Sequence, residues 1–465
     1  MSGQSGTKKI ILWVVGIALF MESLDVTILT TAIPKMAMSF SVDPVSLKMA
    51  LTSYLLGIAF FLPISGWVAD KWGTQKTFIC ALSLFTLSSI GCGLSRNLTE
   101  LVIARIFQGM GGAFMMPVGN LIILRAYPKS ELEHAMNFVL TPLLFGPLLG
   151  PLVGGFITTY YSWPWVFFVN VPMGCLGIVA ARRFIQNYKH ETLRPFDTLG
   201  FILFGFTLAA AYVAFEMIGE KGVPSSVILC AGLLFLGGLI LFYRHYRKTP
   251  FAVLSFNLFG IRTFSFAVSA AAWTRLCVGS VPFLMPLFFQ IGYGLSPLHS
   301  GLLTGSWTLG VFCVKPVNKM ILRRFGFKRL LIALSLLTGL SIVLFSLISD
   351  VNILLILLLN FFYGIAGSMH FFNLSILSYA DVPPENMGDA TSMTGTLLQL
   401  TIGFAIAIGA LVLRVLIGGN QELQSGNTHS FRMTFLILGA LSTLSSLIYI
   451  WLKPEDGKAV ANQRI

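Results

Sequence analysis

Charge is scarce in this chain. Only 11% of its 465 residues are Asp, Glu, Lys or Arg, while 55% are hydrophobic and the mean hydropathy is +0.82. That balance excludes an ordinary soluble domain. Cysteine is sparse as well. Cys80, Cys92, Cys175, Cys230, Cys277 and Cys313 fall in or at the ends of apolar runs, and no two stand at a metal-ligand spacing such as C-x-x-C. Free thiols packed as small apolar groups are expected, not a disulfide framework or a zinc site. The six histidines are scattered, and only His370 lies deep in an apolar run. With no Ser-His-Asp constellation and no glycine-rich phosphate loop, the sequence points to no enzyme, cofactor or metal.

What the chain has instead is length in hydrocarbon. Apolar runs long enough to cross a core of roughly 30 Å recur over nearly the whole sequence. They fall near residues 10–34, 47–68, 76–95, 100–124, 135–160, 165–187, 198–219, 225–243, 263–291, 297–318, 329–349, 352–377, 388–413 and 431–452. Fourteen membrane helices are therefore predicted. The first run is too long for a cleavable signal, and no small-residue cleavage site precedes Pro34.

A net charge of +13 would suit nucleic acid, but its distribution argues otherwise. With the N-terminus inside, about 22 of the 31 Lys and Arg residues fall in cytoplasmic loops and tails, which is the positive-inside bias. Both termini are expected to be cytoplasmic. One loop dissents: Ala380 to Asn386 is predicted inside yet holds only acids.

An internal repeat is visible. RIFQGMGGAF at 105–114 and NFFYGIAGSM at 360–369 align Phe107 with Phe362, Gly109 with Gly364 and Gly112 with Gly367, an offset of 255. GWVADKWGTQK at 66–76 has a worn counterpart in KMILRRFGFKR at 319–329, with Gly73 answering Gly326 at an offset of 253. Two matches at nearly one offset predict duplication: an N-terminal six-helix half at 1–195, a two-helix insert at 196–248 and a C-terminal six-helix half at 249–465. Parallel repeats of this kind belong to transporters with a substrate site near the midplane.

Inside the first run, MESLDVTILTTAIP carries Glu22 and Asp25 on one helical face. Asp25 lies roughly 22 Å along the helix from Ile10, too deep to snorkel. A carboxylate there costs about 2.5–3.5 kcal/mol. Taking up a proton removes that cost, so Asp25, with Glu22, is a candidate proton site. Arg105 in the fourth run is a matching cation, and Arg275 and Lys315 are further cations within second-half runs, candidates to line a cavity. GPLLGPLVGG places Gly146, Gly150 and Gly154 four apart, beside Pro147, Pro151 and Gly155. Such a strip lets another helix approach closely, and the prolines bend its own. Gly66, Asp70, Lys71, Gly73 and Lys76 form a tight turn with charges suited to a cytoplasmic latch.

These four stretches together resemble the major facilitator superfamily. GWVADKWGTQK is similar to its cytoplasmic loop signature, RIFQGMGG to its fourth-span arginine motif, and GPLLGPLVGG to the fifth-span motif of its proton-coupled exporters. LDVTILTTAIP resembles the first-span motif of the fourteen-span drug:proton antiporters. The resemblance implies an all-α polytopic fold of two six-helix halves plus a two-helix insert. It also implies proton-coupled export of amphipathic small molecules by alternating access, with Asp25, Glu22 and Arg105 in coupling and the glycine–proline run as hinge. The expected partners are the lipid bilayer, protons and the cargo, with a monomer sufficient. The chain departs from the cationic-drug pattern, since the tenth run has no acid and the thirteenth only Asp389 at its start. A neutral or anionic cargo, such as a siderophore, stays open beside multidrug efflux, as does proton-coupled import.

Overall fold

The computed structural model describes residues 2–190, 195–218, 223–249, 251–348, 352–418, 423, 426–453 and 455–457, and within these not the side chains of residues 2–7, Lys129 or Lys315. The helices that carry the fold are α1 (Ser2–Phe40), α2 (Lys48–Phe61), α3 (Thr74–Leu94), α4 (Leu98–Ala126), α5 (Lys129–Tyr160), α6 (Asn170–Phe184), α7 (Thr198–Met217), α8 (Ser225–Tyr246), α9 (Arg262–Val278), α10 (Pro297–Ser346), α11 (Ile353–Tyr379), α12 (Met387–Ile417) and α13 (Thr428–Leu444). Among the described residues, thirteen helical stretches are long and apolar enough to cross a membrane. The 50-residue α10 is two rods in one, because Gly326 at its middle has φ +69°. Counting its arms separately gives the fourteen helices that the hydropathy predicts.

Helix starts are chemically marked. Asn97 accepts a hydrogen bond from the Glu100 N–H at 2.9 Å and so caps α4. Asn352, 255 residues later, does the same for Leu355 at the head of α11. Asp197 caps α7 through the Gly200 N–H at 2.8 Å.

The chain divides into two compact units, Met1–Val253 and Leu254–Ile465. The predicted insert, α7 and α8, belongs to the first. Phe201 stacks on Phe60 with ring centroids 4.5 Å apart, and Lys48 of α2 reaches Glu216 of α7 at 3.6 Å, both side chains about 2% exposed. Much of α8 turns apolar residues outward, among them Leu229 and Leu233, as a hydrocarbon solvent requires.

The repeat is physical. In the first unit a Cβ on Gly109 would lie 2.2 Å from the Tyr54 carbonyl oxygen and 3.1 Å from the Gly57 Cα. In the second, a Cβ on Gly364 would lie 1.9 Å from the Trp307 carbonyl oxygen, and one on Gly310 3.1 Å from the Gly364 carbonyl carbon. Trp307 and Gly310 stand 253 residues after Tyr54 and Gly57. Gly73, with φ +96°, and Gly326, with φ +69°, make the same left-handed turn.

Candidate functional site

Asp25 and Arg105 are brought together. Both are 0% exposed, and Nη1 of Arg105 donates to Oδ2 of Asp25. The other carboxylate oxygen, Oδ1, accepts from Gln108 Nε2 and from Asn170 Nδ2, each at 2.8 Å. Arg105 also donates from Nε to the Ala50 carbonyl at 2.8 Å and from Nη1 to Gln108 Oε1 at 2.7 Å. Four helices, α1, α2, α4 and α6, thus meet on one ion pair. A buried pair of this kind stands only when its remaining donors and acceptors are also satisfied, and here nearly all are. The exception is Nη2 of Arg105, which has no hydrogen-bond partner. The guanidinium instead lies over the Tyr54 ring, 4.3 Å from its centroid, which offsets part of its charge.

The shell extends further. Ser89 on α3 accepts from Gln108 Nε2 at 2.8 Å, and the Cys92 thiol lies 3.5 Å from Gln108 Oε1. Cys92 is therefore part of a polar cluster, against the expectation of a purely apolar role. Glu22, one turn from Asp25, is only half-buried, but its Oε2 is shut from solvent with no hydrogen-bond partner.

The glycine strip of α5 packs on α1 of the same unit. A Cβ on Gly146 would meet Ser23 Oγ at 1.9 Å, on Gly150 Thr27 Oγ1 at 2.0 Å, and on Gly154 Thr31 Oγ1 at 2.4 Å. Thr27 donates to the Gly146 carbonyl at 3.2 Å. Ser23, Thr27 and Thr31 are one ridge of α1, four residues apart, laid into the glycine groove. Pro147 and Pro151 lie inside α5 without ending it, and the Gly155 carbonyl accepts the Thr159 hydroxyl at 2.7 Å.

The turn at 66–76 is held by backbone rather than by charge. The segment after α6 docks on it: the Thr74 N–H donates to the Tyr188 carbonyl at 3.0 Å, the His190 N–H to the Asp70 carbonyl at 3.1 Å, and the Lys76 N–H to Asn187 Oδ1 at 3.3 Å. The expected charge latch does not form among the described residues. The carboxylate of Asp70 makes no ion pair there, Lys71 lies over the Trp67 ring at 4.7 Å, and Lys76 is exposed. The physical reason is that the turn at Gly73 presents backbone amides and carbonyls and the uncharged side chains of Thr74 and Gln75, not its charged ones, to the end of α6 and the docked segment. Gly66 has nothing within 4 Å of where a Cβ would stand.

In the second unit, Arg275 of α9 lies over the Phe371 ring at 4.6 Å and lines a small pocket with residues of α11 and α12. Next to it, Thr274 and His370 share the Tyr449 hydroxyl at 2.9 and 2.8 Å. The side chain of Lys315 lies outside the described residues.

Against known proteins, the family model described as Major Facilitator Superfamily matches residues 15–406 and 274–464. The chain belongs to the major facilitator superfamily. Curated relatives in Escherichia coli (strain 55989 / EAEC) and Shigella flexneri serotype 5b carry a name of multidrug resistance, MdtD; each is 36% identical over 457 residues, 97% of this chain and 96% of the relative. Among solved structures of the superfamily's fold, a D-xylose-proton symporter covers 97% of this chain and 98% of its own at a TM-score of 0.69 and 16% identity. A POT family transporter in complex with 5-aminolevulinic acid covers 96% of each chain at a TM-score of 0.72 and 16% identity. These structures bear on the fold alone.

Within this facilitator fold, the sequence pattern singled out both ends of the ion pair but not Asn170, Ser89 or Tyr54. Uncharged polar residues are common in spans. Asn170, one amide within the sixth run, is 1% exposed once folded.

Proposed function

We propose that this facilitator is a proton-coupled secondary transporter that exports amphipathic small molecules, with Asp25 as the group that takes up and releases the proton. The carrying observation is that one fully buried carboxylate, in the middle of a span, ties α1 to α4 and α6 at once, while its partner Arg105 reaches a fourth helix, α2. When ionised it accepts from Arg105, Gln108 and Asn170 together. Protonation removes the charge that Arg105 faces and makes one oxygen a donor and a poorer acceptor, so the charge-assisted bond to Arg105 weakens. The proton therefore acts on how α1 packs against α4 and α6. Multidrug resistance in the name of the MdtD relatives supports an efflux role.

In this reading Glu22, whose Oε2 has no partner, is a second acid beside the relay. The α5 groove, closed on α1, is the hinge surface over which the Asp25 helix shifts. The 66–76 turn with its docked strand is the cytoplasmic gate, Asp70 and Lys71 meeting their partners in another state of the cycle. Exchange of proton for cargo then alternates access between the two sides of a bacterial inner membrane, with both termini in the cytoplasm. The domains run 1–195, 196–248 and 249–465, the middle one serving as a lipid-facing brace, and a monomer suffices.

The test is proton movement in proteoliposomes holding purified wild type or D25N, with an interior pH dye and neutral, cationic and anionic amphipaths. Cargo-driven proton flux opposite to cargo flux, lost in D25N, supports the reading. Cargo movement without proton movement would reduce Asp25 to a structural or cargo-binding role.

A further inference from the structure

Arg275 lies inside the span Arg262–Gly292. Among the described residues its guanidinium makes no ion pair and no hydrogen bond, and its sole side-chain contact of a polar kind is the Phe371 ring face. Other arginines of this chain are served differently. Arg105 has Asp25, Gln108 and the Ala50 carbonyl; Arg262 has Asp456 at 3.6 Å; Arg432 has the Ser346 carbonyl at 2.6 Å. A ring face compensates a cation only in part, and an ionised group at membrane depth is expensive unless something pairs with it.

The pocket beside Arg275 lacks acid and is rich in hydroxyls: Ser375, Ser378, Thr394 and Thr401 line it. Ser378 and Thr401 spend their protons on carbonyls of their own helices, at 2.7 and 2.8 Å. Thr394 does not. Its Oγ1 is shut from solvent with no hydrogen-bond partner, so one fixed donor joins an unpaired guanidinium at a pocket wall. About 10 Å³ is open to a water-sized group there, enough for an oxygen of an acid head but not for a molecule's body.

The repeat sharpens the contrast. A Cβ on Gly409 would meet Ser280 Oγ at 2.5 Å, as one on Gly150 would meet Thr27 Oγ1, and Ser280 stands 253 residues after Thr27. At the same offset Arg275 answers Glu22. One position thus holds an acid in the first unit and a base in the second, and neither has an ionic partner among the described residues.

We infer that Arg275, with the Thr394 hydroxyl, is the seat for an anionic head group of the cargo, a carboxylate or a comparable small oxyanion. This rests on the transporter reading and narrows it from amphipaths in general to organic anions. The guanidinium offers several N–H donors, always charged, to an oxygen of an acid group.

Binding to wild-type protein in lipid nanodiscs, read by fluorescence anisotropy with dansylglycine and its neutral amide, tests it without any transport. Dansylglycine is expected to bind about tenfold tighter than the amide, as charged hydrogen bonds allow. R275Q should bring the acid down to the amide's affinity and leave the amide's unchanged, with R275K between. Equal affinity for the two probes, absence of binding by both included, overturns the inference, and so does a preference that survives in R275Q. Should R275Q not fold, benzoate must displace dansylglycine from wild type and benzamide must not; displacement by both overturns it. An acid preference lost in R275Q, in a protein that moves no protons, would leave the seat standing and remove the exporter reading. Proton exchange driven equally by acid and amide would do the reverse.

Discussion

Gly57 and Gly109 meet backbone to backbone where α2 crosses α4. A Cβ on Gly57 would stand 2.6 Å from the Ile106 carbonyl oxygen and 3.2 Å from the Gly109 Cα. This contact sets how close the two helices come, and closeness is what lets Arg105, one turn before Gly109, reach the Ala50 carbonyl of α2 at 2.8 Å. The glycines of RIFQGMGG and its arginine are therefore one device: the small residues bring the helices together and the cation spans the gap.

G109A is expected to destabilise the protein by about 1–3 kcal/mol or to prevent its recovery, since the methyl meets fixed backbone and not a movable side chain. G364A should behave alike, for the same reason at Trp307. G66A, with open space around it, should change the unfolding temperature little. Thermal unfolding of the three purified variants, followed by size-exclusion chromatography, checks the order.

The Asp25–Arg105 pair predicts non-additivity. R105Q leaves a buried carboxylate short of its cation, and D25N leaves a buried guanidinium without its anion, each costing about 3–5 kcal/mol. The double variant D25N/R105Q buries two neutral amides and should be more stable than the sum of the singles predicts, by more than about 1.5 kcal/mol. Additive losses would mean that the two charges do not see each other in the folded protein.

How much of this was legible beforehand follows from what each residue costs. Asp25 and Arg105 announce themselves because charge in hydrocarbon is rare, so depth alone marks them. Their pairing does not show, since it depends on how α1 and α4 are rotated about their axes. Asn170 and Ser89 are inexpensive in a span and leave no trace in composition. Lys48 and Glu216 lie at span ends, where a charge looks ordinary; only the packing of α7 on α2 makes them a buried pair. The GPLLGPLVGG spacing foretells a groove, but which ridge fills it, Ser23–Thr27–Thr31, needs the fold. The offset of 253 to 255 foretells the repeat, but not which contacts it keeps: Gly364 packs as Gly109 does, whereas Gly367, aligned with Gly112, has nothing within 4 Å of where a Cβ would stand.

K48M should be worse than the double variant K48M/E216M. Alone it leaves Glu216 buried and short of its cation, a loss of about 3–5 kcal/mol, whereas replacing both ends by apolar groups is often close to neutral. The same unfolding assay reads the difference. If K48M alone is neutral, the insert is held to α2 by its aromatic contacts without help from the ion pair.

The 66–76 turn separates structure from cycle. D70N should unfold within about 0.5 kcal/mol of wild type, because the carboxylate carries no ion pair here, yet transport should slow if Asp70 finds a partner in another state. G73A should fail on both counts. Its φ of +96° strains any side chain, and a Cβ would lie 2.1 Å from Asn187 Oδ1, loosening the docked strand. Transport rate and unfolding temperature, measured on the same preparations, distinguish the two.

An anionic cargo makes the exchange steeply dependent on voltage. One proton moving inward against one monoanion moving outward carries two charges in the same electrical sense, worth about 4.6 kcal/mol per 100 mV at about 2.3 kcal/mol per charge. A neutral cargo carries half of that. With a potassium diffusion potential imposed on proteoliposomes, negative on the side of the cytoplasmic face, efflux of an organic acid should rise about twice as steeply in log rate as efflux of its amide. Equal slopes would place the acid in the carrier as its neutral form. In that case Arg275 would not have met a carboxylate during the cycle, whatever it binds at rest.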